Sequence, residues 1–124
     1  MALTEFGKAV RKARIDSGQN LQSMSSELKV SVAFLSAMEN GRKKIPPEMV
    51  EKVGNFFYRL GVPIANLKEL AAVSNESVPI DGLPLQHQML VAGFAQSKFT
   101  PEQLKTIAKL FEEITEEDDK EGRA

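Results

Sequence analysis

The sequence predicts an all-α protein: a five-helix unit, a linker, and then a C-terminal helical pair. Three observations carry that prediction. Over the first seventy residues the apolar side chains recur three and four apart and nowhere alternate as strands do. Residues that cap helices precede these runs, and glycines follow several of them. The turn-rich stretch SNESVPIDG at 74–82 then divides them from two further runs of helical spacing.

The first helix is expected from about Thr4 to Ser17, with Leu3, Phe6, Val10 and Ala13 on one apolar face and Gly18 as its end. Asn20 is an N-cap for a second, short helix whose face is Leu21, Met24 and Leu28. Lys29-Val30 supplies a tight turn, and Ser31 caps a third helix with Leu35 and Met38 three apart. Gly41 stands where a helix-terminating glycine belongs. Two helices this short bury little alone, and their layout suits a helix-turn-helix unit whose second helix lies in a DNA groove. Leu21, Met24, Leu28, Val30, Leu35 and Met38 are its expected core.

Ile45-Pro46-Pro47 breaks the chain, and a proline in the first turn opens a fourth helix to about Leu60. Its stripe is Met49, Val53, Phe56 and Leu60, widened by Val50 and Phe57, and Gly61 closes it. Pro63 is expected to start a short fifth helix through Ile64, Leu67, Leu70 and Ala71. The first domain therefore spans 1–73 and the linker 74–82. A helical hairpin is expected over 83–116. Its first helix carries Leu85, Met89, Leu90 and Phe94. Its second has Thr100 as cap, Pro101 at the first position, Gln103 to complete a capping box and Phe99 placed to staple onto Leu104. Leu104, Ile107, Ala108, Phe111 and Ile114 form its face to be buried. The acids of 117–124 sit at a helix C-terminus, where the dipole disfavours them, so fraying is expected past Glu116.

At 124 residues and 42% apolar composition the chain can fill one core with an appendage. There is no cysteine, which excludes disulfides and thiolate metal sites and favours a reducing compartment. MALTEFGKAV lacks the apolar run of a signal peptide, and no stretch approaches membrane-spanning length. A cytoplasmic protein with no membrane partner is the expectation. The net charge of -1 conceals an asymmetry. Residues 1–60 hold ten Lys or Arg against six Asp or Glu, whereas 61–124 hold six against eleven. Only the first half has the balance that attracts a phosphate backbone, and its excess is modest, so placement of charge must do what bulk charge cannot.

The sequence offers no nucleophile-base set, glycine-rich phosphate loop or metal constellation, so neither an enzyme nor a cofactor is expected. His87 is the only histidine and has no Asp, Cys or second His nearby in sequence. Asp118 and Asp119 lack the alternating ligands and glycine of a calcium loop.

The segments VRKAR at 10–14, KVSVAFLSAMENG at 29–41 and RKKIPPEMVEKV at 42–53 resemble the lambda-repressor-like (Cro/repressor, XRE-type) helix-turn-helix family, over about residues 4–72. The resemblance implies that Arg14 pairs with Glu39, tying the first helix to the end of the recognition helix. It implies that Asn20 and its helix N-terminus face a phosphate. Ser31, Val32, Ala33, Ser36 and Ala37 would meet base edges, and Asn40, Arg42, Lys43 and Lys44 would contact phosphates. Phe34 either packs at the edge of the unit or lies along the sugar-phosphate backbone. Arg11 and Lys12 read as ordinary surface charges, with a phosphate contact as the lesser alternative.

The sequence departs from the family pattern in three places. Val32, Ala33 and Ala37 are apolar where relatives often carry glutamine or other long polar side chains; they can touch thymine methyls but cannot bond bidentately to a purine. Lys29 stands at a turn position commonly glycine, and Ser25 at one commonly alanine. Specificity would then lean on Ser31, Ser36, a neighbouring long side chain or DNA shape.

The expectation is a homodimeric, sequence-specific transcriptional regulator, a repressor of the kind found on phages and mobile elements. It would place two recognition helices in successive major grooves about 34 Å apart on an inverted repeat of double-stranded DNA. The C-terminal pair is expected to dimerise through Phe94, Phe99, Ile107, Phe111 and Ile114, with Leu60, Leu67 and Leu70 competing for that role. Two alternatives stay open: an antitoxin that represses its own operon while the segment after Gly82 grips a toxin, and a helical protein-protein adaptor.

Overall fold

The computed structural model describes residues 3–122, with side chains to residue 116. Among these residues the chain is all-helical: α1 (Glu5–Ser17), α2 (Leu21–Leu28), α3 (Val32–Glu39), α4 (Pro47–Arg59), α5 (Leu67–Asn75), α6 (Leu85–Gln96) and α7 (Pro101–Gly122). It divides into two compact units, Met1–Pro79 and Ile80–Ala124.

In the first unit α1, α2 and α3 begin where a side chain satisfies a free amide. The Thr4 hydroxyl accepts from Gly7 N at 3.0 Å. Asn20 Oδ1 accepts from Ser23 N at 2.8 Å while Ser23 Oγ accepts from Asn20 N at 3.0 Å, a reciprocal box built with serine. Ser31 Oγ accepts from Phe34 N at 3.0 Å. α4 starts on Pro47, whose missing N–H costs nothing at that position.

The five helices of this unit also end alike. A left-handed residue follows the last turn, and the amide after it reaches back to a free carbonyl. Gln19 N bonds Arg14 O at 2.9 Å, Val30 N bonds Ser25 O at 3.1 Å and Arg42 N bonds Ala37 O at 2.9 Å. Val62 N bonds Phe57 O at 2.9 Å and Ser77 N bonds Ala72 O at 3.1 Å. The left-handed residue is glycine at 18, 41 and 61, but Lys29 (φ 58°) after α2 and Glu76 (φ 54°) after α5. The side chain at each of those two positions costs roughly 1–2 kcal/mol.

α1 packs on α3 and α5, α2 on α3 and α4, and α4 on α5. Between them lie Phe6, Val10, Ala13, Met24, Leu28, Leu35, Met38, Ile45, Met49, Val50, Val53, Phe56, Phe57, Leu67 and Ala71. Burying a side chain such as Phe6 or Phe57 contributes about 1.5–3 kcal/mol. Leu21 and Val30, expected in the core, pack on it only partly buried. Ser25 fits the crowded α2 interior because its hydroxyl donates to Gln22 O at 2.9 Å.

Three expectations about this unit are corrected. The fifth helix begins at Leu67, not Pro63, because Asn66 is itself left-handed (φ 58°) and cannot continue a helical turn from 63–65. It runs on to Asn75, so Ser74 and Asn75 belong to the helix and not to a linker. Leu60 lies exposed at the end of the α4 stripe, while Leu67, a competitor for dimer contacts, is buried in the monomer core.

In the second unit the first helix starts at Leu85, after Pro84, and not at Leu83. Its capping box is in place: Thr100 N donates to Gln103 Oε1 at 3.0 Å and Gln103 N to Thr100 Oγ1 at 3.1 Å. The Phe94 and Phe99 rings lie 4.9 Å apart. The hairpin does not bury its own faces. No α6 residue is buried, and the large apolar side chains exposed on the two helices range from Leu104 (45%) to Leu85 (73%). Ala108 is exposed and Ile107 half-buried. Backbone helix continues through 117–122, where fraying was expected; those acidic side chains, Asp118 and Asp119 among them, and residues 123–124 lie outside the described residues. Among the described residues no helix is long and apolar enough to cross a membrane.

Candidate nucleic-acid interface

The site grows from one enclosed contact. Glu39, the last residue of α3, is buried, as is Arg14 near the end of α1. Arg14 Nη1 donates to Glu39 Oε2 at 2.6 Å and Nη2 to Oε1 at 2.9 Å, a two-point pair. The Glu39 carbonyl accepts from Thr4 N and from the Thr4 hydroxyl, each at 3.0 Å. Gly7 lies against that carbonyl: a Cβ there would collide with Glu39 O and sit 3.0 Å from Glu39 C. The start and end of α1 thus grip one residue, which sets where α3 stops. Sequence reasoning expected Arg14–Glu39 and missed Thr4 and Gly7; the small residue on the crowded side of the first helix was the available signal.

From that anchor, α3 presents Ser31, Val32 (40% exposed) and Ala33 to solvent. Phe34 is half-buried and packs on the core edge. Ser36 is half-buried, and its Oγ accepts from Asn40 Nδ2 at 3.3 Å, so these two polar side chains satisfy each other.

Ala37, expected among the base-facing residues, is only 9% exposed. It is four residues after Ala33 and shares its helical face, but the exit chain folds back over it. Arg42 N and Lys43 N both donate to Ala37 O, at 2.9 and 3.2 Å. Ala37 is therefore a seat for the exit loop and no part of an open face.

Arg42 and Lys43 point into solvent, and neither makes an ion pair among the described residues. The Lys44 ammonium instead donates to Asn75 O at the end of α5, where the helix dipole favours a cation. A cleft of about 490 Å³ brings Asn20, Ser36 and Asn40 together with Arg11, Gln19 and the Arg14–Glu39 pair. Gln19 is an addition to the expected residues, and Arg11 was the lesser alternative among them. Lys12, by contrast, pairs with Asp16 at 3.0 Å. His87 is exposed, and among the described residues no three His, Asp or Glu side chains gather as a metal would need. Chemically the surface offers hydroxyl and methyl groups from α3, flanked by cations and helix N-terminal amides, a combination suited to polyanion contact.

Comparison of the chain with protein-family models, curated proteins and solved structures found no match.

Proposed function

We propose that the protein is a sequence-specific DNA-binding transcriptional regulator, acting as a dimeric repressor through a lambda-repressor-like (Cro/repressor, XRE-type) unit. The observation that carries this reading is the order of parts around α3. A capped helix N-terminus with Ser31, Val32 and Ala33 open to solvent leads, after one glycine turn, into two cations that make no ion pair among the described residues and whose amides are seated on Ala37.

In this reading α3 enters the major groove. Val32 and Ala33 meet thymine methyls, and the Ser31 hydroxyl meets a base edge or the adjacent phosphate. Arg42 and Lys43 bind phosphates on one side, while Arg11 and the α2 N-terminus with Asn20 bind them on the other. So small an α3 face reads few bases directly, and DNA deformability supplies the remaining selectivity.

The second unit supplies dimerisation. Its apolar side chains, Phe94, Phe111 and Ile114 among them, are exposed within one chain. A second copy covering them would set two α3 helices for an inverted repeat, and the bound dimer would block transcription sterically. The same exposure favours one other reading, an antitoxin, in which that face is covered by a toxin.

Selection from a random duplex pool tests the proposal. An enriched inverted repeat with half-sites about one helical turn apart is expected. A pool that stays unenriched while the protein is folded contradicts DNA recognition. A stoichiometric partner co-purifying from the native host favours the antitoxin.

A further inference from the structure

The exit chain after α3 is held at two places. Its beginning sits on Ala37 O through the amides of Arg42 and Lys43. Its end is fixed by a residue from the far end of the first unit, Asn75. Asn75 Oδ1 accepts from Ile45 N at 2.8 Å, and Asn75 Nδ2 donates to Ile45 O at 3.0 Å. One side-chain amide thus satisfies both backbone groups of one residue, as a neighbouring strand would. The Asn75 carbonyl also accepts from the Lys44 ammonium. Ile45 is buried in the core that α4 and α5 side chains share, so the point of attachment is itself packed. Between the two anchors only the Arg42 and Lys43 side chains are free to reach out.

We propose that Asn75 is a positioning residue for DNA binding: by pairing with both backbone groups of Ile45 and receiving Lys44, it holds Arg42 and Lys43 in register with α3. The proposal rests on the DNA-binding reading above. A free loop of cations would have to be ordered when the phosphate arrives, and that ordering opposes binding. A loop already fastened at Ala37 and Ile45 avoids most of it. No other side chain bonds Ile45 N or Ile45 O among the described residues. Asn75→Ala leaves both groups without a partner and Lys44 with only a carbonyl on a loosened helix end.

A double-mutant cycle on the full chain separates positioning from general stability, using a duplex selected by the unaltered protein. Asn75→Ala should weaken binding by about tenfold, yet by less than about threefold when Arg42→Ala/Lys43→Ala is already present, since neighbouring partners couple. Ser74→Ala is the control: it removes a bond to Phe6 N at the same helix end (3.1 Å) and should leave affinity within about twofold. Amide exchange at Ile45 should quicken in Asn75→Ala and stay slow in Ser74→Ala. An equal loss from Asn75→Ala in both backgrounds, or unchanged exchange at Ile45, overturns the positioning role while leaving DNA binding intact. If the unaltered chain selects no duplex, both readings fall together.

Discussion

Glu39 joins α1 to α3 through both halves of the residue: its carboxylate is enclosed with the Arg14 guanidinium, and its carbonyl receives the amide and hydroxyl of Thr4. The pair is buried on both sides, so its value lies in what happens when one partner is lost. Glu39→Ala strands a buried guanidinium and should cost about 3–5 kcal/mol, read as a lower urea midpoint. The double replacement Arg14→Met/Glu39→Leu removes both charges and should recover most of that loss. If Glu39→Ala costs under about 1 kcal/mol, the pair is not what holds α3 in place.

Gly7 and Gly54 should respond in opposite directions to the same added methyl. On Gly7 the Cβ meets the Glu39 backbone, which cannot move without shifting α3. Gly7→Ala should therefore destabilise by about 1–3 kcal/mol. On Gly54 the nearest atom is Leu67 Cδ2 at 3.6 Å, an ordinary contact. Gly54→Ala should stabilise by about 0.5–1 kcal/mol through helix propensity. Thermal unfolding of the two variants checks both signs.

Lys29 adopts φ 58° with its side chain exposed, so the turn between α2 and α3 carries a backbone cost. Lys29→Gly relieves it but adds freedom to the unfolded chain. The net should be a stabilisation of up to about 1 kcal/mol. Lys29→Val, β-branched in a left-handed position, should destabilise. A Lys29→Gly variant less stable than the parent would mean that the Lys29 side chain makes a compensating contact.

Phe111 and Ile114 lie 67% and 50% exposed on α7. Sedimentation equilibrium of the full chain should give a dimer, and Phe111→Glu/Ile114→Glu a monomer whose first unit still unfolds cooperatively. The double variant should also lose affinity for a two-half-site duplex by more than tenfold, roughly the effect of losing linkage between half-sites. A parent chain that is monomeric at tens of micromolar would remove this face from the dimer account.

The helices α1 to α4 were legible because their signals are local. Thr4, Asn20, Ser31 and Pro47 start them, and Gly18, Gly41 and Gly61 stand where three of them end. α5 was misplaced because a left-handed asparagine at 66 carries no strong local signature. Ala37 was misread for a different reason. Helical spacing puts it with Ala33, and no local pattern shows that it is only 9% exposed or that Arg42 and Lys43 fold back onto its carbonyl. Gly7, Ser74 and Asn75 act through partners 32, 68 and 30 residues away, at Glu39, Phe6 and Ile45, which no local pattern reveals. In α7 the apolar period was plain, but a period says that a face wants covering and not what covers it.

We propose that Arg42 and Lys43 hold a phosphate backbone beside α3. It is tested most directly by titrating a selected duplex at several salt concentrations with the parent and with Arg42→Ala/Lys43→Ala. The parent should lose affinity steeply and linearly in log-log form. The variant should bind more weakly, with a slope shallower by about 0.9 for each phosphate contact removed from each chain. A parent affinity that does not change with salt, or a variant with the parent's slope, would contradict the account.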